Sequence, residues 1–348
     1  MMLFDNIQGQ ESAIATLRRA LASDRLGHAY LFTGPAGVGK KRTALALAQA
    51  LLCEDKPREG CSICAGCVSV AAGTHPDLLM VASAVGKRDV TIDQVRDLQR
   101  LLGLRPARGG KKVALVDDAH LLNPAAQSAL LKLLEEPPGD ALLILLTVNS
   151  ATLSQPLLSR CQQVRFAALP LPVVEDLLVR EHGKDPATAH ALTLYSRGSI
   201  GRAVALDPQV FTEERQSVVK ELRQLRGASF ITFTRLAEWL VADRAKKSAA
   251  SDQPAEGRPT GERLEIVLSW YEEVLRYVLL GQEGVVRYQD YLPAIIEAAA
   301  GLDAAAALRQ LTLVYDTMQA LGRNANRQLA VEDLLIQLAD SRSREARD

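Results

Sequence analysis

The chain has no net charge. Its 41 lysines and arginines balance 41 aspartates and glutamates. The whole molecule is therefore no general polyanion binder, and any nucleic-acid contact must come from a local patch. No apolar run reaches the ~18 residues that a membrane-spanning helix requires, so no membrane association is expected. Met1 to Gln10 lacks the basic-then-apolar pattern of a signal segment, and the expected location is the cytoplasm. There are only five cysteines, four of them clustered, which reads as a metal site in a reducing compartment rather than a disulfide framework. Internal repeats are absent. What remains is a composition 48% hydrophobic and 24% charged over 348 residues, that of a soluble globular protein of two or three domains.

The clearest local pattern is Leu31-Phe32-Thr33-Gly34-Pro35-Ala36-Gly37-Val38-Gly39-Lys40. An apolar strand runs into a glycine-rich turn, and a helical pattern from Thr43 to Leu52 follows at once. This is the setting of a phosphate-binding P-loop. Gly34, Gly37 and Gly39 let backbone N–H groups close around phosphate oxygens, the helix start adds a favourable dipole, and Lys40 supplies the point charge. One residue type is missing. The position after Lys40 should carry a Ser or Thr hydroxyl for Mg²⁺, and here it is Lys41. A lysine has three donors and no acceptor. Thr43 lies roughly 200° around the helix and points elsewhere. The loop can still hold ATP or ADP, but a bound Mg²⁺ has lost a ligand.

Cys53, Cys61, Cys64 and Cys67 give C-x7-C-x2-C-x2-C. Four thiolates at this spacing can close a tetrahedral Zn²⁺ site. The alternative is four unrelated small core residues, but Pro57, Gly60 and Gly66 make the segment a loop. With no histidine and no open position, such a zinc site is structural rather than catalytic.

Val113-Ala114-Leu115-Val116-Asp117-Asp118 reads as a short strand ending in two acids, where the acidic pair of a P-loop NTPase would stand. Asp117 would face Mg²⁺ or its water shell. Asp118 occupies the place of a water-polarising Glu and is one methylene shorter; a solvated turn after a strand is the other reading. A helix is expected over 11–22, an amphipathic one over 91–102, and another from Leu121 to Glu136 that Pro137-Pro138 ends. Pro76 to Val81, Ala141 to Thr147 and Gln163 to Phe166 read as further strands, with Asn149 a polar residue just beyond the second of them. Strands alternating with helices predict a doubly wound parallel sheet. From Leu169 onward only helical patterns appear. Lys246 to Glu262 is a polar Pro/Gly/Ser stretch that reads as a flexible loop.

Taken together these motifs resemble the bacterial replicative clamp loaders, a branch of the AAA+ proteins. The likeness covers about the first 205 residues. It rests on Gly9-Gln10, His28-Ala29-Tyr30-Leu31-Phe32, the four-cysteine insert, Leu130-Leu131-Lys132-Leu133-Leu134-Glu135-Glu136-Pro137-Pro138 and Ser159-Arg160-Cys161. In that family the ATPase subunits keep Gly-Lys-Thr or Gly-Lys-Ser and an Asp-Glu pair. Gly-Lys-Lys and Asp-Asp beside an intact Ser-Arg-Cys resemble its degenerate, arginine-donating subunit.

The resemblance implies an AAA+ P-loop domain over 1–168 with a zinc insert at 53–67, a helical lid over 169–207 and an all-helical collar over 208–348 holding the loop at 246–262. It implies Arg160 as an arginine finger acting in trans on a neighbour's ATP site, against the plainer reading of a surface ion pair. Arg202 matches the lid arginine that contacts nucleotide phosphates or merely holds the lid. Arg96, Arg100, Arg105 and Arg108 either track a DNA backbone or form a solvated face. The implied partners are gamma/tau ATPase subunits and a delta subunit in a hetero-pentameric ring, the sliding clamp and primer-template DNA. The competing reading is a working ATPase, either a motor subunit of the same loader or another AAA+ enzyme.

Overall fold

The computed structural model describes residues 3–23, 25–83, 89–107, 110–225, 229–242, 262–285, 287–322 and 325–344. It divides into two compact units, Met1–Ala205 and Leu206–Asp348. The expected loop at 246–262 lies outside the described residues except for Glu262, which begins a helix.

The first unit runs α1 (Glu11–Ala22), β1 (Ala29–Thr33), α2 (Lys40–Leu52), α3 (Ala65–Ala71), β2 (Leu78–Val81), α4 (Ile92–Leu102) and β3 (Lys112–Val116). It continues with α5 (Pro124–Glu135), β4 (Ala141–Thr147), α6 (Gln155–Arg160), β5 (Gln162–Arg165), α7 (Leu171–Arg180), α8 (Pro186–Ser196) and α9 (Ile200–Ala205). The strands form one sheet in the order β2-β3-β4-β1-β5, with every pairing parallel. Parallel strands covered on both faces read as unbroken apolar runs, and all seven residues of β4 are buried. The period of two sorts them. Leu142, Ile144 and Leu146 join Tyr30, Phe32 and Leu47 on one face. Leu143 and Leu145 join Leu31, Leu98 and Leu130 on the other. The sheet is thus a doubly wound α/β core, followed in the same unit by the helices α7 to α9.

Two elements depart from expectation. The helix read from Leu121 is broken: a 3-10 turn spans Ala119–Leu121 and α5 begins only at Pro124. Asn123 is the reason, because its side chain accepts from the Ala126 N–H at 2.8 Å, and proline is suited to the first helical position. The strand read from Pro76 starts at Leu78 and lies at the sheet edge, where Met80 is 40% exposed.

The second unit is helical throughout its described residues: α10 (Pro208–Arg223), α11 (Phe230–Val241), α12 (Glu262–Leu280), α13 (Leu292–Ala299), α14 (Ala304–Gly322) and α15 (Arg327–Arg344), with short 3-10 turns before α13. Trp270, Tyr271 and Tyr288 are fully buried. The guanidinium of Arg215 lies 5.4 Å from the Tyr288 ring and 5.1 Å from that of Tyr291. Arg215 also pairs with Asp290, so the buried cation is compensated rather than bare. Among the described residues no single helix is long and apolar enough to cross a membrane.

Candidate nucleotide and metal sites

Parallel register brings the carboxyl ends of the central strands together, where open α/β sheets bind ligands. Thr33 pairs with Thr147 and Val116 with Leu145, so the loops after β1, β3 and β4 are neighbours. Two glycines in the first loop have no substitute. Gly34 has φ 149°, and an added Cβ would stand 2.3 Å from the Phe166 carbonyl oxygen. Gly37 has φ 67°, with Ser199 Oγ at 2.4 Å from such a Cβ. Gly39, at φ 103°, caps α2. Lys40 folds back into the loop: its Nζ donates to Gly34 O at 2.7 Å and Pro35 O at 2.5 Å. Burial lowers the Lys40 pKa, opposed by the carboxylates of Asp118 and Asp117. Thr43 is buried and its hydroxyl donates to Gly39 O at 2.9 Å.

The residue that replaces the expected hydroxyl is the informative one. Lys41 Nζ lies 3.1 Å from Asp117 Oδ2. A half-exposed pair of this kind is worth about 0–1 kcal/mol, so its effect is where it places charge rather than how much stability it adds. Asp118 next to it has φ 49°; burial first, then the Asp117 charge, raises its pKa, while His120, Lys40 and Lys41 oppose. His120 is held below the ordinary imidazole range chiefly by burial. Asn149 stands just past β4, and its Oδ1 accepts from the Ala151 N–H at 3.0 Å.

The helices after the sheet reach back to this loop. The Gly201 N–H donates to Gly37 O at 3.0 Å. Arg202 is half-buried one residue on, its backbone N–H donating to Ser199 Oγ at 3.1 Å. Arg42 on α2 grips Glu181 just past α7 with two bonds of 2.8 and 3.3 Å. Gln10 joins both parts. Its Nε2 donates to Val38 O at 3.2 Å and Ala167 O at 2.8 Å, and its Oε1 accepts from the Ala167 N–H at 3.1 Å. Sequence reading placed Gln10 in a family motif but not at this joint; a buried amide can satisfy a donor and an acceptor together.

Cys53, Cys61, Cys64 and Cys67 come together at the far end of α2, their sulfurs all within 4.8 Å of one another. Cys53 Sγ is 3.8 Å from Cys64 Sγ, and Cys61 Sγ is 3.9 Å from Cys67 Sγ. A tetrahedral centre with metal–sulfur bonds of about 2.3 Å sets its sulfurs about 3.8 Å apart, so the four can hold a metal ion. The backbone is shaped for it: N–H groups of Lys56, Cys64 and Cys67 donate to Sγ of Cys53, Cys61 and Cys64 at 3.3, 3.2 and 3.3 Å. Arg58 and Ser62 hold left-handed φ values of 72° and 65° within the loop, a local cost retained where geometry is demanded. Burial acts against the Cys64 thiolate, yet the Cys67 N–H and neighbouring thiols together bring its pKa to about 7.

Arg160 does not join the P-loop set. It ends α6 one residue before β5, whose Gln162 pairs with Tyr30 near the start of β1. It therefore stands at the amino end of a sheet whose phosphate loop is at the carboxyl end, about 15 Å away at ~3.3 Å per strand residue. Its side chain is partly exposed; Nη2 is 2.7 Å from Glu135 Oε1 and Nη1 donates to Pro156 O at 2.9 Å. Of the basic stretch, Arg96 and Arg100 are exposed but stand 3.5 Å from Asp93 and 3.4 Å from Asp97. Arg105 is exposed, and Arg108 lies outside the described residues.

The family model described as DNA polymerase III, delta subunit, matches residues 9–170. The chain is 29% identical over 335 residues to DNA polymerase III subunit delta' of Bacillus subtilis, covering 95% of this chain and 96% of that one. Its similarity to subunit delta' of Pseudomonas aeruginosa is 38% identity over 203 residues, 57% of this chain and 61% of that one. To subunit tau of Escherichia coli it is 34% identical over 212 residues, 59% of this chain and 32% of that one.

The Gln10 joint gives a direct test. Gln10→Ala leaves Val38 O and both backbone groups of Ala167 without their partner, and is expected to destabilise the first unit by about 1–3 kcal/mol. Denaturant unfolding of the two proteins measures the difference.

Proposed function

We propose that the chain is a clamp-loader protein of DNA polymerase III and, within that complex, the delta' subunit, a scaffold that hydrolyses no ATP of its own and lends Arg160 to a neighbour. The observation that carries this reading is the ammonium of Lys41, 3.1 Å from Asp117. A fixed cation stands where a P-loop NTPase keeps the Mg²⁺ that bridges phosphates and neutralises developing charge. The acid pair ends in Asp118 rather than a longer carboxylate, and the Lys40 Nζ is engaged with its own loop. The position of Arg160 supports the other half. A guanidinium at the opposite end of the sheet has no route to its own phosphate loop, and a partly exposed one can reach a neighbour. End-to-end similarity to a delta' protein, against a shorter match to tau, supports the assignment of subunit.

In this reading the partners are gamma/tau ATPase subunits and a delta subunit in a hetero-pentameric ring, with the sliding clamp and primer-template DNA as its cargo in the cytoplasm. The first unit divides into an AAA+ domain (1–168) and a lid (169–207), and the helical second unit (208–348) is the collar. ATP or ADP can rest on Gly34, Gly37, Gly39 and Lys40, with Asn149 and Arg202 bordering the phosphates. The metal held by Cys53, Cys61, Cys64 and Cys67 is zinc, and it supplies cross-linking rather than chemistry.

Three outcomes are expected. With Lys41 as the resident cation, a labelled ATP analogue should bind with an affinity that changes little on adding Mg²⁺, while Lys41→Thr should make binding magnesium-dependent. Metal analysis of protein purified without chelators should find one zinc per chain. Structural zinc is worth about 10–16 kcal/mol in small peptides, but this one is attached to a large core, so chelation should release residues 53–67 to protease while the sheet's circular dichroism persists. The decisive test reconstitutes the ring with single variants. Arg160→Ala should leave assembly intact and lower DNA- and clamp-stimulated hydrolysis at one site, where such arginines are worth ~10³–10⁵ in rate; the whole-ring rate falls only in part. Lys40→Ala should change turnover little. Loss of activity with Lys40→Ala and none with Arg160→Ala would make this chain a motor subunit.

A further inference from the structure

Arg160 is not a loose side chain awaiting a neighbour. Glu135 is the last residue of α5, in the turn that Pro137 and Pro138 close. Its Oε1 meets Arg160 Nη2 at 2.7 Å, while Nη1 is held by the Pro156 carbonyl one helical turn back at 2.9 Å. The helices that carry the pair are themselves fixed to one another. Gln127 on α5 is buried; its Oε1 accepts from the Ser154 N–H at 2.8 Å and its Nε2 donates to Thr152 O at 3.1 Å, at the entry to α6. The two helix ends that carry the pair are thus held at a fixed spacing.

We infer that Glu135 is a positioning residue for Arg160, holding the guanidinium in one orientation before a neighbouring subunit presents its nucleotide. This rests on the reading of Arg160 as a group that acts in trans. An arginine carries five N–H donors in a rigid fork. Glu135 and Pro156 occupy two of them, which leaves three to meet an anionic phosphoryl group without the pair having to open. An exposed arginine would otherwise lose the freedom of its long stem at the moment of reaction, and preorganising the group beforehand removes that cost from the barrier. The pair is half-exposed on both sides, 38% and 51%, so it contributes little to folding. Orientation is what it can supply. The partner group recognised is the terminal phosphate of a nucleoside triphosphate bound to the adjacent subunit.

The test uses the reconstituted ring and reads kcat and KM for ATP separately. Glu135→Ala is expected to lower the stimulated kcat between about 10- and 100-fold at the site that Arg160 serves, the range for a misplaced catalytic group. KM should stay unchanged, since the guanidinium acts on the transition state. Glu135→Gln, which keeps shape and hydrogen bonding, should recover part of the loss and guards against a folding defect in the alanine variant. In the Arg160→Ala background Glu135→Ala should have no further effect, because the two residues act as one unit. Equal losses in both backgrounds would assign Glu135 a structural role and overturn the inference, as would an unchanged kcat in Glu135→Ala when Arg160→Ala is impaired. If Arg160→Ala itself is silent, the trans reading fails and the positioning role falls with it.

Discussion

Five strands that all run the same way give the sheet two chemically unlike ends, and the placement of every candidate group follows from that. At the carboxyl end, Thr33 beside Thr147 and Val116 beside Leu145 bring a glycine loop, an acidic pair and a polar asparagine into one crevice. At the amino end, the turns entering β4 and β5 carry Glu135 and Arg160. An antiparallel sheet would mix these sets at both edges. Here one end can be altered without touching the other.

At the carboxyl end, a lysine ammonium stands beside Asp117, and the position after Lys40 carries no hydroxyl. A divalent ion that arrives with nucleotide is exchangeable, whereas the Lys41 ammonium is covalently attached and needs no nucleotide to stay beside Asp117. The crevice is therefore close to electrically complete without a ligand. Its backbone is complete as well, with Lys40 turned onto the carbonyls of Gly34 and Pro35 and the α9 turn seated on Gly37.

Much of this was legible in the residues. The P-loop, the acidic strand end and the four cysteines each sit within a dozen or so positions of one another, and short-range spacing translates directly into short-range geometry. Buried strands were readable because β1, β3 and β4 are apolar on both faces. The reading failed where a single polar side chain decides the outcome. Asn123 starts α5 three residues later than hydrophobic periodicity suggests. The bonds from Gln10 to Ala167 join positions 157 residues apart, and the meeting of Glu135 with Arg160 depends on strand order. Spacing carries no signal for either, although a glutamate before two prolines and an arginine before a strand at the same sheet end hint at the second.

The cysteine insert is also attached to α2 in a way that spacing conceals. A helix leaves its last carbonyls without partners, and in α2 the insert supplies one, the Arg58 N–H donating to Ala50 O at 2.7 Å; Cys67 also packs against Gln49. Gln49 returns the contact through Nε2 to Cys67 O at 2.9 Å. The loop is thus the terminus of the same helix whose first residue is Lys40. It is no detachable module. Any lineage or engineer that excised it would have to invent another stop for that helix, which gives the insert a reason to persist even where metal is scarce.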